Sequence, residues 1–241
     1  MFQAFANPER FMAFSAWATP LLAALAALLL AVGVPWGLVF APADYLQGES
    51  ARIMFVHVPA AWWALLIYAF MGGASLIGLV WRHALADVAA RAAAPIGATY
   101  AGLCLISGSL WGAPTWGTFW EWDGRLTSML VLFLTYLGYL ALWSAVEDET
   151  KAARLAGILC LAGLANVPIV HFSVEWWSTL HQSSSVLRSG GSSIYPTMLA
   201  PLLIMTAAYA ALFGALLLAS MRTAIYRRRA LAAIARRARS A

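Results

Sequence analysis

Residues 116–128 read WGTFWEWDGRLTS, and this stretch is the most informative part of the chain. Three Trp and one Phe fall within its first seven residues, and an acid and a base, Asp123 and Arg125, follow directly. Long apolar segments flank the stretch on both sides, which indicates a loop or a surface helix at a membrane boundary. Aromatic rings beside a few charges are what a large, flat, amphipathic ligand requires.

The composition is that of an integral membrane protein. Of the 241 residues, 63% are hydrophobic and 10% are charged, whereas soluble domains average about 25% charged residues. The apolar runs predict six transmembrane helices, at about 16–40, 61–81, 95–113, 127–146, 155–173 and 197–221. We therefore expect an all-α integral membrane protein with six transmembrane helices and a Trp-rich interfacial segment on its outer side.

The positions of Lys and Arg predict how the chain is oriented. With the N-terminus inside, 12 of these residues fall in cytoplasmic segments and 3 fall outside, namely Arg52, Arg125 and Arg188. Residues 1–221 would then form the membrane domain, and residues 222–241 a basic cytoplasmic tail that continues the sixth span or lies on the inner leaflet. Nine of the 12 Trp lie on the outer side, so we expect the function there.

Several classes of function are excluded or disfavoured by what the sequence lacks. The cytoplasmic connections are short, and the chain contains no Gly-rich phosphate loop, which excludes ATP hydrolysis by this chain. The net charge of +5 comes from the C-terminal tail and does not indicate nucleic-acid binding. Cys104 and Cys160 lie inside predicted spans and are expected to be small buried hydrophobic residues.

Two histidines are candidate metal ligands. His57 lies just before the second predicted span, and His181 lies in the outer loop before the sixth span. Neutral imidazole is a good axial ligand for the iron of a metal porphyrin. If the outer ends of spans two and six converge, the two imidazoles could bind an iron from opposite faces while the Trp segment covers the ring. The alternative is that each histidine is an interfacial residue solvated by water or lipid headgroups.

If residues 116–127 are helical, they form an interfacial amphipathic helix, although aromatic burial there also has a purely lipid explanation. Its apolar face would carry Trp116, Phe119, Trp120, Asp123 and Leu126, with Trp122 at the edge. A macrocycle with two carboxylates would also require cations. Arg52, Arg125 and Arg188 are the outer-side candidates, because Arg can bind a carboxylate through two hydrogen bonds.

On these motifs the chain resembles the cytochrome c maturation protein C (CcmC) family, the heme-handling subunit of bacterial System I. The resemblance covers nearly the whole length and includes residues 52–62, RIMFVHVPAAW, and residues 176–182, WWSTLHQ. It implies that His57 and His181 are the axial ligands of heme iron. The WWD signature of the family is matched by Trp116, Gly117, Trp120, Trp122, Asp123, Arg125, Leu126 and Thr127, and Phe119 stands where members often have Trp.

The resemblance also implies a function and partners. Members bind heme b at the periplasmic face of the bacterial inner membrane and deliver it to the heme chaperone CcmE, acting with the ABC-type subunits CcmA and CcmB and the small membrane protein CcmD. We therefore expect heme delivery without catalysis by this chain, with both termini cytoplasmic. The alternatives are a transporter that exports heme or another solute and an enzyme that attaches heme. The first is disfavoured by the scarcity of ionisable residues in the spans, and the second by the lack of a nucleophile or acid–base pair.

Overall fold

A computed structural model describes residues 7–177, 179–181, 185–186 and 190–240. Helices account for nearly all of this part, and it contains no β-strand, so the predicted all-α fold is confirmed. A π-helical turn, Trp36–Phe40, extends the first helix, and a 3-10 helix, Glu49–Ile53, leads into the second. The α-helices are α1 Pro8–Pro35, α2 Met54–Trp81, α3 Ala84–Trp116, α4 Gly124–Ala145, α5 Glu149–Gly163, α6 Asn166–Trp176 and α7 Pro196–Ser240.

Six segments of the described chain are long and apolar enough to cross a bilayer, as the sequence predicted. Five of them are single helices with their flanking turns, and α5 and α6 together make the remaining one. Leu164 and Ala165 interrupt the helix between α5 and α6, and Pro168 follows in the first turn of α6. A proline fits there because the first turn of a helix has no internal acceptor for its N–H group.

Two of the predicted helix boundaries are wrong, and the first of them matters for the site. Helix α2 begins at Met54 and not near residue 61, so His57 lies in its first turn and not in a loop. At the other end of the bundle, the predicted connection 82–94 shrinks to Arg82, in the left-handed conformation, and His83. The imidazole of His83 accepts a hydrogen bond from the Ala86 N–H group at 3.2 Å and thereby caps α3.

The helices pack mainly as two long pairs, α1 with α7 and α2 with α3, and α4 packs against α3, α5 and α6. Small residues allow the close approaches: a Cβ atom at Gly33 of α1 would lie 2.8 Å from the Met205 sulfur of α7. Polar side chains in the core find backbone partners, since the buried Tyr136 hydroxyl donates to the Ala64 carbonyl at 2.8 Å. This bundle fixes the positions from which the site residues project.

The basic C-terminal segment continues α7 as one helix to Ser240, which confirms the first of the two predicted arrangements. The predicted domain boundary at residues 221 and 222 falls inside this helix. Arg222 donates to the Met12 carbonyl at 2.8 Å, and Arg229 pairs with Glu9 at 2.7 Å, so this end of α7 is tied to α1. Beyond these contacts, every described side chain from Tyr226 onward is exposed.

Candidate functional site

The Trp-rich segment is a loop between two capped helices, which is the first of the two arrangements that the sequence indicated. Helix α3 ends at Trp116, because Gly117 takes a left-handed conformation with φ 78° and closes it with a bond to the Ala113 carbonyl at 3.1 Å. Helix α4 begins after Asp123, whose Oδ1 accepts from the Leu126 N–H at 2.7 Å. The seven residues 117–123 between these signals are not helical.

His57 projects from the first turn of α2 and is oriented by α3. Its Nδ1 lies 3.1 Å from the Cys104 carbonyl oxygen and 3.2 Å from the Ser107 hydroxyl. A carbonyl can only accept, so Nδ1 carries the ring proton and Nε2 keeps its lone pair. No described residue hydrogen-bonds to Nε2, which leaves this nitrogen available to a ligand.

His181 is oriented in the same way by a carboxylate. Its Nδ1 lies 3.4 Å from Asp123 Oδ2, while the other oxygen of Asp123 caps α4. The Trp116 ring packs against the imidazole, with 4.8 Å between ring centroids. Burial lowers the pKa of His181 from 6.5, and the Asp123 carboxylate opposes that shift. The imidazole is therefore neutral at neutral pH, the form that binds a metal.

The two histidines and one arginine lie close to one another. His57 is near enough to Arg125, and to His181 in its protonated form, to interact with both electrostatically, and His181 is likewise near Arg125. Arg125 lies in the first turn of α4 and reaches α6, donating to the Ser173 hydroxyl at 3.3 Å and to the His171 carbonyl at 3.1 Å. The structure thus brings together ligand candidates that are 124 positions apart, at one end of the bundle.

The aromatic residues of the loop differ in exposure. Phe119 is 64% exposed and Trp122 is 74% exposed, which is unusual for rings of this size unless they meet lipid or a partner. Trp120 is half-buried beside Trp122, with 5.4 Å between ring centroids. Its indole N–H is buried and has no acceptor among the described residues. A donor in this state is suited to a ligand that brings its own acceptor.

A groove opens beside this loop, between α4 and α6. Its volume of about 600 Å³ lies in the range of small-molecule sites. The residues around it combine two indole rings with a carboxylate and an amide, namely Trp122, Trp177, Asp123 and Asn166.

The two other arginines predicted to bind a carboxylate, Arg52 and Arg188, are not placed beside the histidines by any described contact. Arg52 pairs with Glu49 at 2.7 Å and donates to the carbonyls of Ala41, at 2.7 and 3.1 Å, and Leu38, at 3.4 Å. Its guanidinium therefore fastens the segment between α1 and α2. Arg188 lies outside the residues that the structure describes.

Sequence reasoning missed the residues of α3 that face His57. These are Cys104, Ser107, Gly108 and Trp111, and the Trp111 ring lies edge-on to the imidazole with 5.7 Å between centroids. Their spacing of three, four and seven residues is the pattern of one helix face. That pattern could have been recognised, but only once His57 was known to lie on a neighbouring helix.

The described residues contain no group of three or more His, Cys, Asp or Glu that could hold a metal ion. Two imidazoles alone do not complete a typical protein metal site. They do suffice for an iron whose remaining four ligands come from a macrocycle.

Comparison with known proteins gives a consistent result. Residues 1–236 match the family model described as heme exporter protein C. A protein of that name from Bradyrhizobium diazoefficiens is 56% identical, over 93% of this chain and 85% of its own length. The protein of that name from Escherichia coli K12 is 51% identical, over 82% and 79%. Another, from Paracoccus denitrificans, is 45% identical over 98% of both chains.

Proposed function

The chain belongs to the heme exporter protein C family, and from this premise we propose that it binds heme between His57 and His181 and delivers it to the heme chaperone CcmE. Family membership gives the coarser statement: the chain is a multi-pass membrane protein of heme transport in cytochrome c biogenesis, and a component of the heme exporter complex. The cargo we propose is heme b, held by non-covalent contacts until transfer. In this proposal the chain catalyses no covalent step.

The bonding of the two imidazoles is the observation that supports the proposal. Each has Nδ1 directed at a fixed oxygen, the Cys104 carbonyl or the Asp123 carboxylate, and each has Nε2 free of hydrogen bonds from the described residues. Histidines that bind metals use one ring nitrogen for the metal and the other for such an oxygen, which fixes the ring orientation. Two Nε2 atoms would then bind the iron from opposite faces.

The loop supplies contacts for the rest of the ring. Trp116 and Trp120 would cover the macrocycle, Phe119 and Trp122 would extend this cover outward, and Gly117 provides the turn that presents the loop. The unpartnered indole N–H of Trp120 is a suitable donor to a heme carboxylate.

The three arginines predicted to bind heme carboxylates differ in what the structure shows of their partners. Arg125 is the strongest candidate to bind a heme propionate, because it pairs with no carboxylate of the described residues and donates only to the Ser173 hydroxyl and the His171 carbonyl. Arg52 would first have to release Glu49 and two backbone carbonyls. Arg188 stays a prediction from the sequence.

We infer the location from the distribution of charge. The basic end of the bundle would face the cytoplasm of a bacterium, with both termini inside. The heme site would then face the periplasm from the inner membrane. Residues 1–221 would handle heme, and residues 222–241 would form the cytoplasmic tail. We propose CcmA, CcmB and CcmD as the partners within the exporter complex, where CcmA and CcmB would supply ATP hydrolysis.

Heme loading of the chaperone tests this function. Membranes containing CcmE and its partner subunits are compared for wild type and the His57→Ala/His181→Ala variant, and covalent heme on CcmE is quantified. We expect the variant to lose nearly all loading. His171→Ala is the matched control, because this imidazole is exposed on the same side and contacts only Phe172 among the described rings. Equal loading by the double variant and by wild type would overturn the proposal.

A further inference from the structure

We propose that one face of α3 is a preformed seat for the His57 imidazole, and that Ser107, Gly108 and Trp111 are positioning residues for heme binding. This inference rests on the proposed function, in which His57 binds the iron. It adds that the ring orientation and the proton position are set before heme arrives.

The hydrogen bonds of the seat fix the tautomer of His57. The Ser107 hydroxyl donates its own proton to the Leu103 carbonyl at 2.6 Å, so its oxygen is left to accept. Both groups facing Nδ1, the Ser107 oxygen and the Cys104 carbonyl, are therefore acceptors. With the proton held on Nδ1, the lone pair of Nε2 carries no hydrogen bond from the described residues.

Gly108 provides the space that the ring occupies. A Cβ atom at this position would lie 2.8 Å from Cε1 and 3.3 Å from Nδ1 of His57. Any larger residue would push the imidazole off α3 and lengthen both hydrogen bonds. Gly102, on the same helix, differs: its Cβ atom would make an ordinary contact of 3.4 Å with Phe133.

Trp111 restricts the movement of the His57 imidazole from a third direction. Its indole lies edge-on to the imidazole at an interplanar angle of 78°, and its N–H donates to the Gln47 side-chain oxygen at 2.9 Å. Gln47 belongs to the segment between α1 and α2, so the Trp111 ring is itself held in place. The seat thus restrains His57 through Ser107, Gly108 and Trp111 and makes no hydrogen bond to Nε2.

The decisive experiment combines the heme-free and the heme-bound protein. Proteins labelled with 15N-histidine are first examined by NMR without heme, and the His57 signals are identified by their absence from His57→Ala. Heme titrations then follow for Gly108→Ala, for the matched control Gly102→Ala, and for Ser107→Ala with Ser107→Thr as the conservative rescue.

We expect the Nδ1-protonated tautomer at His57 in the heme-free wild type. Gly108→Ala should lower heme affinity about 10- to 100-fold, the usual effect of removing a group that orients a metal ligand, and should change the axial-ligand bands of the spectrum. Gly102→Ala should keep wild-type affinity. Ser107→Ala should lower affinity in the same direction, and Ser107→Thr should restore most of it.

A cycle with His57→Ala separates positioning from general packing. If Gly108 acts through His57, Gly108→Ala should cause no further loss of affinity in the His57→Ala background. An equal loss in both backgrounds, or an Nε2-protonated tautomer in heme-free wild type, would overturn the seat. If wild type binds no heme at all, the proposed function is wrong, and the NMR result alone decides whether the seat exists.

Discussion

At the scale of single residues, Asp123 combines two tasks. One carboxylate oxygen caps α4 and the other orients His181. The cap could be recognised from the sequence, because Asp just before an apolar run is a familiar signal of a helix start. The sequence contains no sign of the second contact, which joins residues 58 positions apart.

Substitution of Asp123 separates the two tasks. Asp123→Asn keeps a good capping side chain but removes the charge beside His181, so we expect heme affinity to fall about tenfold with little change in thermal stability. Asp123→Ala should show the same loss of affinity and lose a further ~1 kcal/mol of stability with the cap. Heme titration and thermal unfolding in detergent measure both effects. Wild-type affinity in Asp123→Asn would remove this carboxylate from the site.

Arg125 is the residue whose role in binding the cargo is easiest to test. Arg125→Gln should lower heme affinity about 10- to 100-fold if the guanidinium meets a propionate, because hydrogen bonds to charged groups contribute about 1.5–3 kcal/mol. Arg154→Gln, an exposed cation on α5, controls for the change in net charge. An affinity within twofold of wild type, measured by titration, would exclude Arg125 from the site.

At the scale of elements, the Trp-rich segment shows what decides between the loop and the surface helix that the sequence left open. Aromatic residues at positions 116, 119 and 120 fit a helical face, and periodicity alone predicts a helix. Gly117 and Asp123 decide otherwise, because they end one helix and start the next. These local signals outweigh the periodicity, and the loop is left free to present its rings.

The two histidines proposed as ligands belong to different kinds of element, which predicts different responses to added imidazole. Removing the side chain in His57→Gly leaves a cavity walled by α3, with two acceptors in place. Removing it in His181→Gly leaves a gap in a segment between helices. We expect free imidazole to restore heme binding in His57→Gly at a concentration at least about tenfold lower than the concentration that His181→Gly requires.

Titrations of both variants with imidazole at fixed heme concentration measure this difference. Equal concentrations for half-maximal rescue would contradict a preformed cavity at His57. Failure of rescue in both variants would contradict the assignment of the histidines as ligands.

The sequence predicted the elements better than their ends. The six spans followed from apolar length, and His57 and His181 followed from the motifs around them. Helix α2 starts at Met54, before the predicted span at about 61–81, and Pro59, a residue type that favours the first turn of a helix, lies inside it. The contacts of His57 with Cys104 and Ser107 were out of reach, since no sequence pattern fixes how two helices face each other.

At the scale of the whole molecule, the proposed function depends on the orientation of the chain in the membrane. The two native cysteines are buried, so a single introduced cysteine can report which side is accessible. Tyr45→Cys, at a side chain 90% exposed in the segment between α1 and α2, should react with an impermeant maleimide in intact spheroplasts. Arg236→Cys, on the exposed end of α7, should react only after the membrane is opened. The reverse pattern would invert the proposed topology and place the site in the cytoplasm.

The optical spectrum of the detergent-purified protein tests the central claim most directly. Wild type, purified from heme-replete cells, is compared with the His57→Ala/His181→Ala variant. If His57 and His181 bind the iron, wild type should show the spectrum of a six-coordinate heme with two histidine ligands, and a folded variant should lose it. A folded wild-type protein without heme, even with CcmE present, or an unchanged spectrum in the variant, would contradict this claim.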